Sequence, residues 1–323
     1  MTRSRWCVLS GFGAAASRVF ISAFAASLAL PAHAAHTRNI LLTGYWPPTN
    51  EMVRPFSTNL ALNPGGWIGQ NWESRGYDVY SYFPTFANPN CSSCGQGSGD
   101  FEVDYQDTSA DFWPIVAALK PVAIVTCSRT SGNFVWQVEL NTHNYGSWTS
   151  DYTAPLMPTP NPPDASVPVN FVRQSTLPMQ AIVDAVNGAS LGITASIDPT
   201  NSGNFLSGYM AYHGTWYQSL HAAPADAAQC LAAGHIHVGD TISWPNAHEA
   251  TKISLREVIE HLDSLLEMPG DVNLDGVVDV NDLLAVITQW GPCPPQPSGC
   301  IADLDDNSTV DVNDLLEVIV NWD

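Results

Sequence analysis

An internal duplication near the C-terminus limits what this chain can fold into more than any other feature. Asp271–Trp290 recurs as Asp303–Trp322 at an offset of 32, with 11 of 20 positions identical, among them Val-Asp-Val-Asn-Asp-Leu-Leu. A hard cation such as calcium takes roughly six to eight oxygen ligands, and a twelve-residue loop supplies them from alternate positions. In the first copy those positions carry Asp271, Asn273, Asp275, Asp279 and Asp282, with a backbone carbonyl from Val277. In the second they carry Asp303, Asp305, Asn307, Asp311 and Asp314, with the carbonyl from Thr309. Gly276 stands where the first loop must turn sharply, and Ser308 takes that place in the second, which predicts a weaker or strained second site. Leu283, Leu284, Val286, Ile287 and Trp290 follow at helical spacing, so each loop feeds an amphipathic helix. A merely acidic, solvated tail would need neither the duplication nor the apolar stripes.

Charge and leader place the rest. Arg3, Arg5 and Arg18, the apolar run Val19–Leu30 and the small-x-small site Ala32-His33-Ala34 read as a secretory signal over 1–34, with the mature chain starting at Ala35. The apolar run is short for a membrane span, and nothing after it approaches one. Without the leader, eight basic side chains face 31 acidic ones, a field that repels phosphate backbones and makes nucleic acid a poor partner. Six cysteines remain, and in an exported chain an even number permits disulfides. Cys91 and Cys94, in a Gly/Ser-rich loop, are expected to form a small structural bridge, and Cys293 and Cys300 a staple between the two repeats.

Between leader and repeats, apolar runs alternate with helical periodicity. Strands are predicted at Asn39–Tyr45, Tyr77–Phe83, Pro121–Cys127, Phe134–Leu140, Gly192–Ile197 and Gly234–Val238. Helices are predicted at Asp111–Leu119, Leu177–Val186, Asn204–Leu220, Ala225–Ala233 and Thr251–Leu266, the last with Leu255, Val258, Ile259, Leu262, Leu265 and Leu266 on one stripe. The alternation predicts an α/β domain over 35–268 with a mostly parallel sheet covered on both faces, followed by a small all-α unit over 269–323.

Three residues suit acyl transfer. Ser207 opens a predicted helix, where the positive helix end and free backbone amides favour a developing oxyanion. His237 lies on a strand whose Ile236 and Val238 point the other way, and Glu139 ends another strand. A nucleophile, a base and an orienting carboxylate are what such chemistry requires.

Two resemblances sharpen these expectations. The C-terminal repeats resemble type I dockerin repeats, which also close their loops with Asp; this implies two bound Ca2+ ions and a cohesin-like protein or cell-surface partner. Over about 39–267 the chain resembles pyroglutamyl-peptidase I enzymes. Ile40-Leu41-Leu42-Thr43-Gly44-Tyr45 followed by Pro47, Thr176-Leu177-Pro178, Arg129 with Glu139 and Asn144, Gly203-Asn204-Phe205-Leu206-Ser207 followed by Tyr212, and Gly234-His235-Ile236-His237-Val238 occur in that family's order. The resemblance implies a three-layer α/β/α sandwich, a catalytic set of Ser207, His237 and Glu139, and a substrate pocket involving Tyr45, Pro48 and Arg129. It also marks departures. Ser207 stands where the family has its nucleophilic Cys, Gly208 where it has Asn, and Pro48 where it has Phe. A serine hydroxyl, far less acidic than a thiol, depends wholly on its base.

Three readings follow: a secreted, tethered hydrolase of peptide, amide or ester bonds; a binding or adhesion protein in which the change to Ser207 marks lost chemistry; and a zinc-dependent hydrolase. The last would use His235 and His237, two apart on one strand face, with His213, His221 or His248.

Overall fold

The structure, a computed structural model, describes residues 37–322 except 90, 92–93, 224–225, 267–268, 274–276, 294–299 and 306. The signal-peptide reading and the ligand Asp275 lie outside the described residues.

In chain order the N-terminal part comprises β1 (Asn39–Thr43), α1 (Thr49–Val53), β2 (Asp78–Tyr82), α2 (Tyr105–Leu119), β3 (Ala123–Thr130), β4 (Val135–Glu139), β5 (Asn141–His143), β6 (Val172–Gln174), α3 (Met179–Gly188), β7 (Thr194–Asp198), α4 (Leu206–Leu220), β8 (Ala232–Gly239) and α5 (Trp244–Leu266). Among the described residues, six strands form one sheet in the order β2-β1-β3-β8-β4-β7. The pairs β2/β1, β1/β3, β3/β8 and β4/β7 are parallel, while β4 meets β8 antiparallel. Near-continuous burial along β1 and β3 reflects cover on both faces.

The cover makes three layers. On one face Met52 and Val53 of α1, Ile182 and Val186 of α3, and Leu255, Val258, Ile259 and Leu262 of α5 pack on Ile40, Leu42, Val125, Ile236 and Val238. On the other, Phe112 and Val116 of α2 and Leu206, Tyr209 and Met210 of α4 pack on Leu41, Ile124 and Ala233. Ten of the fifteen residues of α4 are buried, which suits a helix covered on more than one side. The helix α2 starts earlier than the periodicity indicates because Asp104 caps it, accepting from the amides of Gln106 at 2.8 Å and Asp107 at 3.0 Å.

Two sequence expectations fail here. No helix occupies the described residues of 225–233: that stretch is a turn running into β8, whose first two residues, Ala232 and Ala233, are fully buried. An alanine-rich run has high helix propensity, but register pairing of Ala232 with Ala123 and Ala233 with Ile124 overrides it. Leu265 does not join the apolar stripe of α5 and is exposed.

The C-terminal part holds α6 (Val280–Thr288), β9 (Gly291–Pro292), β10 (Thr309–Val310) and α7 (Val312–Val320). It is not purely helical, because β9 and β10 pair antiparallel. Val272, Val278, Val286, Ala302, Val310 and Val318 form its own core. Cys91 is joined to Cys94, and Cys293 to Cys300. No helix among the described residues is long and apolar enough to cross a membrane.

Candidate functional site

The polar groups of interest lie on the sheet face under α4, contributed by three adjacent strands. On β8, His235 and His237 share that face, while Ile236 and Val238 enter the opposite core. From β4, Glu139 reaches its diagonal neighbour: His237 Nδ1 donates to Glu139 Oε1 at 2.6 Å, whereas the register partner of Glu139 is His235. The Glu139 side chain is 1% exposed and that of His237 13%. Burial raises the Glu139 carboxyl above its ordinary range, and the His237 hydrogen bond opposes this. Glu139 Oε2 is buried with no hydrogen-bond partner. With Nδ1 committed to the carboxylate, His237 keeps Nε2 as an acceptor.

Ser207 is the second residue of α4, as the sequence indicates, but the structure does not join it to His237. Its Oγ donates to the Ser202 carbonyl at 3.1 Å. The reason lies in the preceding turn. Gly203 adopts φ +83, and its carbonyl folds so closely onto the helix that a Cβ on Gly208 would lie 1.8 Å from it. Only glycine fits after Ser207, and the turn brings a carbonyl to the serine hydroxyl.

Ser207 lines a cavity of about 40 Å³ together with Tyr45, Trp46, Ser128, Arg129 and Phe205. Two of the sequence-derived pocket residues, Tyr45 and Arg129, are thus beside Ser207. Tyr45 donates or accepts at Thr108 Oγ1, 2.8 Å away, and burial pushes its phenol far above the ordinary value, so it stays neutral. Arg129 lies over the Trp46 ring at 4.8 Å and donates to the Cys91 carbonyl at 3.2 Å. Pro48 is in a neighbouring cleft of about 260 Å³ that also touches Arg129, Asp240 and Trp244. Cys127, between Thr126 and Ser128, faces the other core, and burial pushes its thiol far up, so it offers no nucleophile here.

His235, a zinc-ligand candidate in the sequence, is fully buried. Its Nδ1 lies 2.8 Å from Thr126 Oγ1 and its Nε2 2.8 Å from Ser128 Oγ. Thr126 and Ser128 were missed, although they interrupt an apolar strand at the same two-residue spacing as the two histidines. The histidines of the zinc arrangement fall into separate hydrogen-bond sets: His213 bonds Ser109 and the Tyr209 carbonyl, His221 bonds Asp226, and His248 bonds the Met52 carbonyl.

A second set of functional groups lies in the C-terminal loops. Carboxylate oxygens of Asp303, Asp305 and Asp314 all fall within 4.8 Å of one another. Asp314 is fully buried and accepts from the amides of Leu304 at 2.6 Å and Asp311 at 2.7 Å. Asp282 is its counterpart, accepting from Asn273 at 3.0 Å and Asp279 at 2.9 Å. Asp279 and Asp311 cap α6 and α7 in reciprocal capping boxes with Asp282 and Asp314. The amide of Asn307 binds Asp303 and Asp305, Thr309 sits in β10, Asp271 is buried, and Val277 is exposed.

The family model that matches the chain is the dockerin type I domain, over 269–321. Residues 269–321 are a dockerin type I domain. Dockerin type I domains bind calcium, and the clustered oxygens of Asp303, Asp305 and Asp314, hard and anionic on a short loop, fit that ion. In this dockerin Ser308 takes the turn position at φ +69, the left-handed region that glycine occupies at least cost, so the strain expected of the second loop is present.

For the α/β part, similar solved structures include pyrrolidone carboxyl peptidases. The enzyme from Thermococcus litoralis superposes with a TM-score of 0.50 at 16% identity, covering 70% of this chain and 95% of that one. The enzyme from Pyrococcus furiosus gives 0.50 at 17%, covering 69% and 99%. At this identity the likeness is one of fold. No curated protein matches the chain.

Proposed function

We propose that the chain is an exported hydrolase of acyl bonds, related to the pyrrolidone carboxyl peptidases, and held in place by a calcium-dependent dockerin that docks a cohesin-like protein. The observation that carries the hydrolytic part is the buried Glu139–His237 hydrogen bond on a fold like that of those peptidases. In this reading Ser207 turns its hydroxyl from the Ser202 carbonyl toward His237. Oγ attacks the carbonyl carbon of an amide or ester while its proton passes to Nε2. The C–N or C–O bond then breaks, and the leaving group takes that proton. Water completes the cycle by the reverse path, and Glu139 steadies the imidazolium. Amides at the start of α4 favour the oxyanion. Tyr45, Arg129 and Pro48 border the acyl group. By the resemblance, Pro48 replaces a Phe of the family's pyroglutamate pocket and Gly208 the Asn after the nucleophile, so the acyl group taken need not be pyroglutamate.

The dockerin reading adds two calcium ions. One is held by Asp271, Asn273, Asp275, Val277, Asp279 and Asp282, the other by Asp303, Asp305, Asn307, Thr309, Asp311 and Asp314. Export through the N-terminal leader agrees with a module of this kind, which works outside the cell.

The test is turnover of chromogenic aminoacyl, pyroglutamyl and ester substrates by the full chain and by His237→Ala and Ser207→Cys. Aminoacyl or pyroglutamyl turnover lost in His237→Ala supports the reading. One observation favours a second reading, a binding protein: the Ser207 hydroxyl is hydrogen-bonded to a backbone carbonyl and not to its base. Silence in the wild type and in Ser207→Cys would establish that alternative and sink the hydrolase.

A further inference from the structure

We propose that Ser128 and His235 form a second hydroxyl–imidazole pair, opening on the same cavity as Ser207, that accepts short acyl groups from esters. This deepens the acyl-hydrolase reading and rests on the cavity receiving an acyl compound.

One arrangement of protons satisfies every group in this hydrogen-bond set. Thr126 Oγ1 donates to the Gly234 carbonyl at 3.1 Å. In that arrangement its oxygen accepts from His235 Nδ1 at 2.8 Å, with the ring proton on Nδ1. Nε2 is left bare, so the Ser128 hydroxyl, 2.8 Å away, donates to it. A serine donating to a neutral imidazole whose other nitrogen is held by a third group is the arrangement that activates a nucleophile. Ser207 lacks that arrangement in this structure. Burial, with His237 nearby, holds His235 well below the ordinary histidine value, so the ring stays neutral and Nε2 keeps its lone pair for the Ser128 hydroxyl, while the imidazolium formed in the step is disfavoured by that same burial.

Position separates this pair from a structural one. Ser109 and His213 show a similar bond, 2.9 Å, with Nδ1 fixed by the Tyr209 carbonyl, but Ser109 does not border the cavity. Ser128 does, beside Arg129 and Ser207. The cavity, about 40 Å³ and walled by Tyr45, Trp46 and Phe205, has room for a few waters or a group the size of acetyl. Arg129 supplies positive charge where the carbonyl oxygen becomes an oxyanion.

The step balances within these groups. Ser128 Oγ bonds to the ester carbonyl carbon as its proton moves to His235 Nε2. The C–O bond to the alcohol breaks, the alkoxide leaves with the electron pair, and it collects the proton from Nε2. Water then attacks the acyl-serine, gives its proton to Nε2, and the proton returns to Oγ as the carboxylic acid departs.

The experiment uses the full-length protein and p-nitrophenyl acetate, quenched in acid during the burst, with peptic fragments mapped by mass spectrometry. An acetyl group on Ser128 is the expected result. Ser128→Ala abolishes that adduct, and His235→Gln slows its formation by about 100-fold or more. Ser128→Cys preserves size should the alanine variant fold poorly, and moves the acetyl group to sulfur. Acetyl on Ser207 alone overturns this proposal and leaves the wider hydrolase reading standing. Absence of both adduct and turnover overturns the two together.

Discussion

Glu139 is bonded through one oxygen to His237, 2.6 Å away, while its other oxygen is buried without a partner. The carboxylate is therefore held for its imidazole and not for the stability of the sheet. Glu139→Gln keeps an oxygen for Nδ1–H and exchanges one unpaired buried atom for another, so the melting temperature should move by only a few degrees. The charge that steadies an imidazolium is gone, and kcat/KM should fall by about 10²- to 10⁴-fold. A melting curve beside a steady-state assay decides it; parallel loss of both would mean the carboxylate is structural.

The turn before Ser207 makes a sharper stability forecast. A Cβ on Gly208 meets the Gly203 backbone at 1.8 Å, and backbone cannot swing aside as a side chain would. Gly208→Ala should cost about 2–3 kcal/mol or more. Gly188, at the end of α3, has nothing within 4 Å of a built Cβ, so Gly188→Ala should stabilise by about 0.5–1 kcal/mol. Urea midpoints of the two variants should shift in opposite directions.

Acid should loosen the α4 side of the molecule. His213 is fully buried, and burial lowers its pKa to about 4, with the Tyr209 hydrogen bond opposing. Between about 4 and its ordinary 6.5 the unfolded chain binds the proton and the folded chain does not. Stability from this group is thus complete above the unfolded value and is lost as pH falls to the folded one, by about 3 kcal/mol. Denaturant midpoints at pH 7, 5.5 and 4 should show the slope, and His213→Gln should flatten it. An unchanged slope in that variant would assign the effect to other groups, His235 first among them.

In the dockerin, chelation should abolish one thermal transition and leave that of the α/β part near its place. Asp314→Ala removes the acceptor of the Leu304 and Asp311 amides as well as a ligand, and bound calcium measured by titration calorimetry should fall from two ions to one. Ser308→Gly relieves the φ +69 backbone and should stabilise the second loop by up to about 1 kcal/mol, tightening its calcium. Weaker binding in that variant would mean the serine side chain is needed.

Much of this architecture can be read from the residues because period and repetition are local. Each strand of the six-stranded sheet overlaps a run predicted as a strand, and the Asp-rich loops announce themselves by being written twice. What escapes is set by contacts across the chain. The three-residue strands β5 and β6 are too short for any periodicity. The alanines at the head of β8 carry helix propensity that sheet pairing overrules. Ser207 is placed correctly on its helix, yet the direction of its hydroxyl depends on a turn whose shape follows from Gly203 and Gly208. Ser128 and Thr126 pass for ordinary strand residues until β3 is laid beside β8 and their hydroxyls meet His235.

Thr126, Ser128, His235, His237 and Glu139 all project from adjacent strands in the middle of the sheet, and none belongs to a connecting loop. The excursions Ala87–Gly99 and Pro155–Pro168 instead brace the site from outside, through the Cys91 carbonyl that accepts from Arg129 and the buried Asp164 that pairs with Arg173. A laboratory library in those two segments would sample new specificities only if it spared Cys91, Cys94 and Asp164, while the proton-handling groups stay put on their strands.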